Sequence, residues 1–452
     1  MSTQKNNVNN TNLSADEAWE KLLKKYDIVN EIERNGIFHI TASQIKEFKE
    51  PRLMAKWDSS EQLPSSLKKN KINILPDSRS SYVLGDFLLY EEIPELTEHV
   101  TQMTSVELPE YESIDVNNIT SEANAINVLI LSNILDDFLG TDKNAGTFNG
   151  RMGTGIFEFD VDTHRGKKQH IIVNNAQCEI DGGFENDESV VIMEAKNVLH
   201  SDFHVRQLYY PYRLWKTRVK KPIRLVFSIY SNKIYRLFEY AFEDINDYSS
   251  IKLIQNKNYS LQDTTISLDE LIAVRKGTKI TCDDNQNNDN LPPFIQADSF
   301  ERVISLLENM FDNPMDDEEI AELMHFGSNL SNGKPVYRQS QYYYNAGKYV
   351  GLFEKTKNED GKVVAVLTDL GRKVYRMHYK ERQLKLVSLI LEHQIFAELF
   401  DYVVSNSGEM PDSFLVQKRM AELNVCNEGQ IGRRSQTIRS WIRWMFDLTK
   451  LS

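Results

Sequence analysis

Residues 177–196 constrain the fold of this chain more than any other stretch. They read QCEIDGGFENDESVVIMEAK, a polar, glycine-containing run between two segments of β-strand character. Successive strand residues face opposite sides, so Glu194 and Lys196 share one face of the second strand. The Gly182–Gly183 pair and the polar residues after it predict a turn. The resulting hairpin is expected to bring Asp181 beside Glu194 and Lys196.

This group of side chains suits the hydrolysis of a phosphodiester. The carboxylates of Asp181 and Glu194 provide oxygen ligands for a hard cation such as Mg²⁺. The cation polarises the phosphate and stabilises its developing negative charge, and the ammonium of Lys196 positions the attacking water. Glu179 shares a face with Asp181 and is a candidate extra acid. The plainer alternative is a solvated hairpin with an exposed Glu–Lys pair.

The spacing Asp-x12-Glu-x-Lys resembles the active-site motif of the PD-(D/E)XK nuclease superfamily, although Ile180 stands where the family motif has Pro. The resemblance implies an α/β (α+β) nuclease core with a mixed sheet, in which Asp181 and Glu194 are metal ligands and Lys196 is catalytic. It also implies an auxiliary Gln in the helix after the motif, for which Gln207 is the candidate.

The same resemblance implies an acid from an early helix, for which Glu122 is the metal-ligand candidate. The alternative is that Glu122 only stabilises the helix start beside Ser121. A single helix from Ser121 to Gly140 is predicted from the helical spacing of its apolar residues. The strands predicted for the mixed sheet are 156–161, 170–180, 190–195 and 223–230.

A basic segment follows the motif. Residues 196–236 carry ten Lys or Arg against one acid, Asp202. This charge suits contact with a phosphate backbone, and Arg206 is a DNA-binding candidate. Arg151, in a glycine-rich turn at 149–155, is a second candidate, with the alternative that it caps a loop. The aromatic residues after Gln207 alternatively form the buried face of a helix, which Pro211 is expected to kink or end.

Composition and charge limit the class of protein. The chain has 452 residues, 40% hydrophobic and 26% charged, which predicts two to three globular domains. It has no signal peptide and no apolar run long enough to span a bilayer, so no membrane partner is expected. Cys178, Cys282 and Cys426 match no zinc spacing and indicate a reducing cytoplasm, with Cys178 pointing into the sheet. Met1–Asn12 is expected to be disordered.

The C-terminal part differs in charge from the rest. The net charge of the chain is −13, but residues 331–452 contain 19 Lys or Arg against 13 Asp or Glu, a net of +6. A local positive patch of this kind is enough for a DNA-binding face. The segment Thr281–Ala297, rich in Asp and Asn, predicts a linker before it.

Beyond the linker the pattern resembles a winged helix-turn-helix. Helices are predicted at 316–324 and 337–350, followed by a hairpin whose strand is 363–367, and the pattern is expected to recur around a helix at 428–444. Arg, Gln and Asn read base edges in the major groove, so sequence choice is expected to lie in this part. The alternative is that both helices belong to a protein-interaction module. The DNA-binding candidates are Arg338, Gln341, Asn345, Arg433, Arg434, Gln436 and Arg439.

Together these features resemble a type II restriction endonuclease with C-terminal winged-helix-like domains. The resemblance implies double-stranded DNA as substrate, Mg²⁺ as cofactor and a cognate DNA methyltransferase as companion, and a homodimer is expected because two strands must be cut. The alternatives are a DNA repair or recombination nuclease and a non-catalytic winged-helix regulator. The predicted division is an N-terminal α+β module at 1–115, which is a further candidate for DNA contact, the nuclease domain at 116–280 and the linker at 281–297. A winged-helix-like DNA-binding module at 298–385 and a second helical or winged-helix-like module at 386–452 follow.

Overall fold

The structure is a computed structural model that describes residues 13–96, 99–103, 106, 111–116, 118–119, 121–287, 293–331 and 334–451. The disorder predicted for Met1–Asn12 concerns residues outside this part. None of the described helices is long and apolar enough to cross a membrane.

Short helices and a three-stranded antiparallel sheet form the N-terminal region. The first helix begins at a capping box between Ser14 and Glu17. Trp19 anchors the region by donating its indole N–H to the carbonyl of Met54 at 3.0 Å. The sheet order is β1-β3-β2. The elements are α1 (Ala15–Lys25), α2 (Ile28–Asn35), β1 (Ile37–Thr41), α3 (Ala42–Lys46), α4 (Arg52–Ala55), α5 (Ser65–Lys69), β2 (Asn73–Pro76) and β3 (Ser81–Gly85).

A mixed seven-stranded sheet forms the middle of the chain, in the order β5-β14-β13-β12-β10-β9-β6, and confirms the predicted mixed sheet. Neighbours are antiparallel except for β10 with β12 and β14 with β5. The elements are β4 (Tyr90–Glu92), β5 (Val100–Gln102), α6 (Glu122–Leu131), α7 (Ile134–Leu139), β6 (Ala145–Gly153), β7 (Ile156–Asp162), β8 (Lys168–Asn174), β9 (Gln177–Glu185), β10 (Val190–Lys196), β11 (Asp202–His204), α8 (Arg206–Lys216), β12 (Ile223–Ser231), β13 (Ile234–Phe242), β14 (Ile251–Ser260) and α9 (Leu268–Gly277).

Helices cover both faces of this sheet. Ile192 of β10 belongs to the same apolar cluster as Leu208 of α8. Its neighbours Val191 and Met193 belong to a second cluster with Leu129 of α6. This alternation is the period of two expected of a strand buried on both sides. It places every second residue of β10, including Glu194 and Lys196, on the α8 side.

Three sequence predictions in this region are wrong in detail. The predicted strand 170–180 is broken at Asn175, which adopts a left-handed φ of 56°, and β7 and β8 form a separate two-stranded sheet. Gly182–Gly183 is not the turn but lies in β9, paired with Met193 and Ile192. The glycines are needed there because a Cβ on Gly183 would lie 2.2 Å from the ring of Phe148.

One predicted helix is divided in the structure, and another runs through a proline that was expected to kink or end it. The helix predicted from Ser121 to Gly140 is two helices, because Asn133 between them has a left-handed φ of 57°. Helix α8 does not end at Pro211 but continues to Lys216. The predicted turn at 149–155 is mostly strand β6.

The C-terminal region is helical, with a β-hairpin after its third helix. The predicted helices at 316–324 and 337–350 and the strand 363–367 are confirmed. The segment before α11 also pairs with the hairpin, through a bridge between Met315 and Ala365. The elements are α10 (Phe300–Met310), α11 (Asp317–Met324), β15 (Asn329–Ser331), β16 (Lys334–Val336), α12 (Arg338–Tyr349), β17 (Phe353–Lys357), β18 (Val363–Leu367), α13 (Asp369–Arg376), α14 (Tyr379–Leu391), α15 (Gln394–Ser405), α16 (Ser413–Leu423) and α17 (Glu428–Asp447).

The helix–hairpin pattern does not recur as expected, because α13 to α17 run to Asp447 without a strand among the residues described there. In α17, Trp441 is buried and donates its indole N–H to the carbonyl of Ala297 at 2.8 Å. Ile438, Ile442 and Met445 of the same helix are buried as well.

Buried polar contacts join the C-terminal helices to the central sheet. Gln383 donates to the side-chain oxygen of Asn232 at 2.7 Å, and the backbone N–H of Asn232 donates to Glu308 at 2.8 Å. Glu308 in turn forms an ion pair with the fully buried Arg382 at 2.6 Å. Ile295 and Ala297, at the end of the predicted linker, are buried as well. The described ends of the predicted linker are therefore packed against the helical region.

Candidate active site

The predicted site lies where β9 and β10 stop pairing. The antiparallel register runs from Val190 opposite Glu185 to Met193 opposite Gly182. Beyond that point the carboxylate of Asp181 replaces the backbone of β9 and accepts the N–H of Ala195 at 2.9 Å. The side chain of Asp181 is therefore fixed at the point where the two strands separate.

Glu194, Lys196 and Gln207 meet in the interior. Lys196 Nζ donates to Glu194 Oε1 at 2.6 Å, and Gln207 Nε2 donates to the same oxygen at 2.5 Å. The side chains of Glu194 and Lys196 are only 8% and 12% exposed, so the alternative of an exposed surface pair is wrong. Gln207 reaches them because α8 crosses the face of β10 on which Glu194 lies. The structure thus brings together Asp181, Glu194, Lys196 and Gln207.

Two further carboxylates, those of Glu122 and Asp58, raise the pKa of Lys196. Burial alone lowers the pKa of Lys196, but Glu194, Glu122, Asp58 and Asp181 together raise it above its ordinary value, so Lys196 is an ammonium ion. Glu122 is the first residue of α6, as expected for the candidate acid from an early helix. We call Asp58, Glu122, Asp181 and Glu194 the acidic cluster.

Asp58 was not predicted from the sequence, which indicated no chemistry in the N-terminal region. It lies between α4 and α5, and its carbonyl accepts the N–H of His204 at 2.9 Å. The next residue fixes the same loop, because the hydroxyl of Ser59 donates to Asp202 at 2.6 Å. Burial raises the pKa of Asp58, yet Lys196 and Lys56 bring it below its ordinary value. Asp58 is therefore ionised, although its side chain is almost fully enclosed.

The acidic cluster carries more negative charge than Lys196 balances. Burial is the main cause that raises the pKa of Glu194 to about 8; Lys196 opposes this, and Asp181 and Asp58 add to it. Burial also raises the pKa of Glu122, again against Lys196 and with Asp181. Such pKa values mean that the group favours an added positive charge, either a proton or a metal cation.

The oxygen atoms of the site fit a hard cation. Asp58 Oδ1 and Gln207 Oε1 are buried and have no hydrogen-bond partner. Buried oxygens without a partner are costly, and a cation that accepts oxygen ligands would satisfy them. Carboxylate and amide oxygens are the ligands that a hard cation such as Mg²⁺ prefers.

Two stacked imidazole rings lie beside the acidic cluster. His200 and His325 have ring centroids 3.8 Å apart and planes within 6° of parallel. Burial is the first cause that lowers the pKa of both rings, to about 4 for His325. The charges of Asp58 and Lys196 also act on His325, which ends α11 with a left-handed φ of 56°. The sequence carried no motif that pointed to either histidine.

Glu179 and Arg151 lie outside the buried group. They form an ion pair with each other at 3.2 Å, and the side chain of Glu179 is 48% exposed. Arg206, the first residue of α8, is closer to the site: its guanidinium lies 5.9 Å from the centre of the Tyr210 ring and lowers the pKa of Asp58.

The DNA-binding candidates of α12 lie on its outer face. Arg338 and Gln341 are exposed and Asn345 is half-buried, while the opposite face of the helix is in the core. Gln341 donates to Asp317 of α11 at 3.1 Å. Arg338 and Gln341 are therefore available to a partner molecule.

The candidates of α17 are differently placed. Arg433 and Gln436 line a cleft of about 1030 Å³ between the C-terminal helices and the rest of the protein, together with Arg302. Arg434 is half-buried, with its Nε enclosed and without a hydrogen-bond partner, and Arg439 is half-buried too. Arg433 and Gln436 are exposed, and the guanidinium of Arg433 lies 5.8 Å from the ring centre of Tyr342 in α12.

Three family models match successive parts of the chain. Residues 16–84 match a Domain of unknown function (DUF6996), residues 85–260 a Domain of unknown function (DUF6997), and residues 302–450 a Domain of unknown function (DUF7226). No curated protein and no solved structure matches the chain. The site draws on all three matched parts, since Asp58 lies in the first, the β9–β10 residues in the second and His325 in the third.

Proposed function

We propose that the protein is a Mg²⁺-dependent endonuclease that cuts double-stranded DNA at specific sites, of the type II restriction class, with a PD-(D/E)XK core. The observation that carries the proposal is the convergence of Asp181, Glu194, Lys196 and Gln207 in one buried group. A chance Glu-x-Lys sequence at the protein surface would have no reason to collect an ammonium, an amide and further carboxylates around it.

Asp181 and Glu194 would hold Mg²⁺. The carboxylates of Glu122 and Asp58 would interact with its charge. When bound, Mg²⁺ supplies Lewis-acid stabilisation of the phosphate. Lys196, kept charged by the acidic cluster, orients the attacking water by donating a hydrogen bond to it. Gln207 holds the carboxylate of Glu194 in place. Hydrolysis adds the water oxygen to phosphorus and breaks the bond to the 3′ oxygen, which takes a proton and leaves a 5′-phosphate on the other fragment.

The C-terminal region supports DNA recognition by a winged helix. Helices α10 and α11 precede α12, and the β17–β18 hairpin follows it, with the Met315–Ala365 bridge joining the hairpin to the segment before α11. In this arrangement α12 is the helix that would enter the major groove. Its exposed Arg338 and Gln341 are the side chains that would read base edges.

Digestion of plasmid DNA with and without Mg²⁺ tests the proposal. Discrete bands that need Mg²⁺ support a restriction enzyme, a smear indicates a less specific repair or recombination nuclease, and intact DNA with a gel shift indicates a non-catalytic regulator. Ca²⁺ in place of Mg²⁺ should allow binding without cutting, because its looser coordination makes it a poorer catalyst at such sites.

Variants of the buried group give the sharper test. Asp181→Ala, Glu194→Ala and Lys196→Ala should each abolish cutting while a gel shift of the same DNA persists. Glu185→Gln is the matched control: Glu185 lies on β9, as Asp181 does, but its side chain is 42% exposed and pairs with Lys221 away from the site. Full cleavage by Glu194→Ala would refute the site assignment.

A further inference from the structure

A second group of ligating side chains lies where the described start of the 281–297 segment meets the C-terminal helices. Cys282, Asp284 and His393 place one sulfur, one oxygen and one nitrogen atom within 4.8 Å of one another. The backbone fixes the arrangement, because Gln394 donates its N–H to the carbonyl of Cys282 at 2.9 Å. The side chains of Asp284 and His393 are buried, and Cys282 is half-buried.

The imidazole of His393 is oriented as a metal ligand would be. Its Nε2 lies 3.0 Å from the carbonyl oxygen of Tyr349, which only accepts, so Nε2 carries a proton. Its Nδ1 lies 2.6 Å from Asp284 Oδ1. At that distance the two atoms share a hydrogen bond, and a tetrahedral zinc ion bound to both would replace its proton and move them apart to about 3.4 Å. A ring N–H bound to a backbone carbonyl is the usual support for a histidine whose other nitrogen binds a metal.

The remaining atoms complete a ligand set for a borderline-soft ion. Cys282 Sγ lies 3.6 Å from Asp284 Oδ1. Zinc–ligand bonds of about 2.3 Å to sulfur and about 2.0–2.2 Å to oxygen give a tetrahedral sulfur–oxygen edge of about 3.5 Å. The second carboxylate oxygen, Asp284 Oδ2, is buried without a hydrogen-bond partner. Tyr349 donates its hydroxyl to Oδ1 at 2.5 Å, so a second-layer donor is already in place.

We propose that Cys282, Asp284 and His393 bind Zn²⁺, with a water molecule in the fourth position on the half-exposed side of Cys282. Binding deprotonates the thiol and replaces the proton between Nδ1 and Oδ1, and both protons leave to solvent. The ion would hold residues 282–284, which follow the central region, against Tyr349 of α12 and against the junction between α14 and α15. This is a structural role, separate from the acidic cluster and from Mg²⁺.

Cobalt(II) titration of the full chain tests this proposal. The purified protein is freed of metal with a chelator and titrated with Co²⁺, and a thiolate-to-cobalt absorption band is expected to saturate at one equivalent. Zn²⁺ should abolish the band by displacement, whereas Mg²⁺ should not, because it binds thiolate poorly. Cys282→Ser should lose the band, and Cys426→Ala, which removes a different buried thiol, should keep it. Glu194→Gln should also keep it, which separates this site from the proposed catalytic one.

His393→Gln gives a second, independent variant. It should weaken Co²⁺ binding at least tenfold, with far-ultraviolet circular dichroism as the check on folding. The proposal is overturned if the wild type shows no thiolate band, or if the band survives in Cys282→Ser. A proton alone would then lie between His393 and Asp284.

Discussion

Replacing Glu194 with Gln should remove one specific effect of pH on folding stability. The pKa of Glu194 is about 8 in the folded protein against an ordinary value of 4.5. Between these two pH values the folded chain holds a proton that the unfolded chain has released, so this group lowers stability as pH rises. The effect is about 1.4 kcal/mol per pH unit inside the window and levels off near pH 8. From pH 6 to pH 8 the wild type should therefore lose about 2 kcal/mol through this residue, and the Gln variant should not.

Thermal unfolding in the presence of a chelator measures this difference. For a cooperative unit of the size of the central region, about 2 kcal/mol corresponds to roughly 4–8 °C in Tm. Between pH 6 and pH 8 the Tm of the wild type should fall by roughly 4–8 °C more than the Tm of Glu194→Gln. The histidines and other acids are common to both proteins, so their titration cancels in the comparison. Glu185→Gln, at the exposed end of the neighbouring strand β9, should behave like the wild type.

Magnesium extends the same assay. At ten times its dissociation constant, Mg²⁺ should restore about 1.4 kcal/mol to the wild type at pH 8 and little to Glu194→Gln. An equal loss of Tm with pH in both proteins would refute the reasoning, because Glu194 would then not hold an extra proton at neutral pH. If Mg²⁺ raises the Tm of both proteins by the same amount, the ion binds at a place other than Glu194.

Three further predictions concern other parts of the molecule. Asp58→Asn should reduce plasmid cleavage at least tenfold without changing Tm by more than a few degrees, and unchanged cleavage would remove Asp58 from the site. Gly183→Ala should lower stability by about 1–3 kcal/mol, because its Cβ would lie 2.2 Å from the Phe148 ring, and an unaltered Tm would contradict the packing described. Arg338→Ala and Gln341→Ala should each reduce the binding preference for cognate over random DNA by about 1–3 kcal/mol in gel shifts, with the cleavage chemistry intact. A uniform loss of binding to all sequences would indicate phosphate contact instead.

The sequence predicted those features of the site that depend on local spacing. The two-residue period of a strand put Glu194 and Lys196 on one face, and the helix after them supplied Gln207. The helices α11 and α12 and the strand β18 were also predicted, from the residues of each element alone. These signals lie within a few residues of each other, so tertiary contacts were not needed to read them.

The remaining features depend on contacts between distant residues or on single backbone conformations. Asp58 and His325 join the site from segments far along the chain on either side, and neither stands in a motif. The break at Asn175 depends on one left-handed residue. Gly182–Gly183 looks like a turn because glycine favours turns, but in this chain it provides space for aromatic rings.

The origin of the site in three parts of the chain has a consequence for its synthesis. Asp58 and the strands carrying Asp181 and Glu194 leave the ribosome well before His325, which follows Lys196 by 129 residues. At translation rates of about 5–20 residues per second, this interval is on the order of ten seconds. A chain released early would have all four carboxylates but not the second of the two stacked rings. The acidic residues are therefore synthesised first, and the C-terminal residues that help to enclose them are synthesised last.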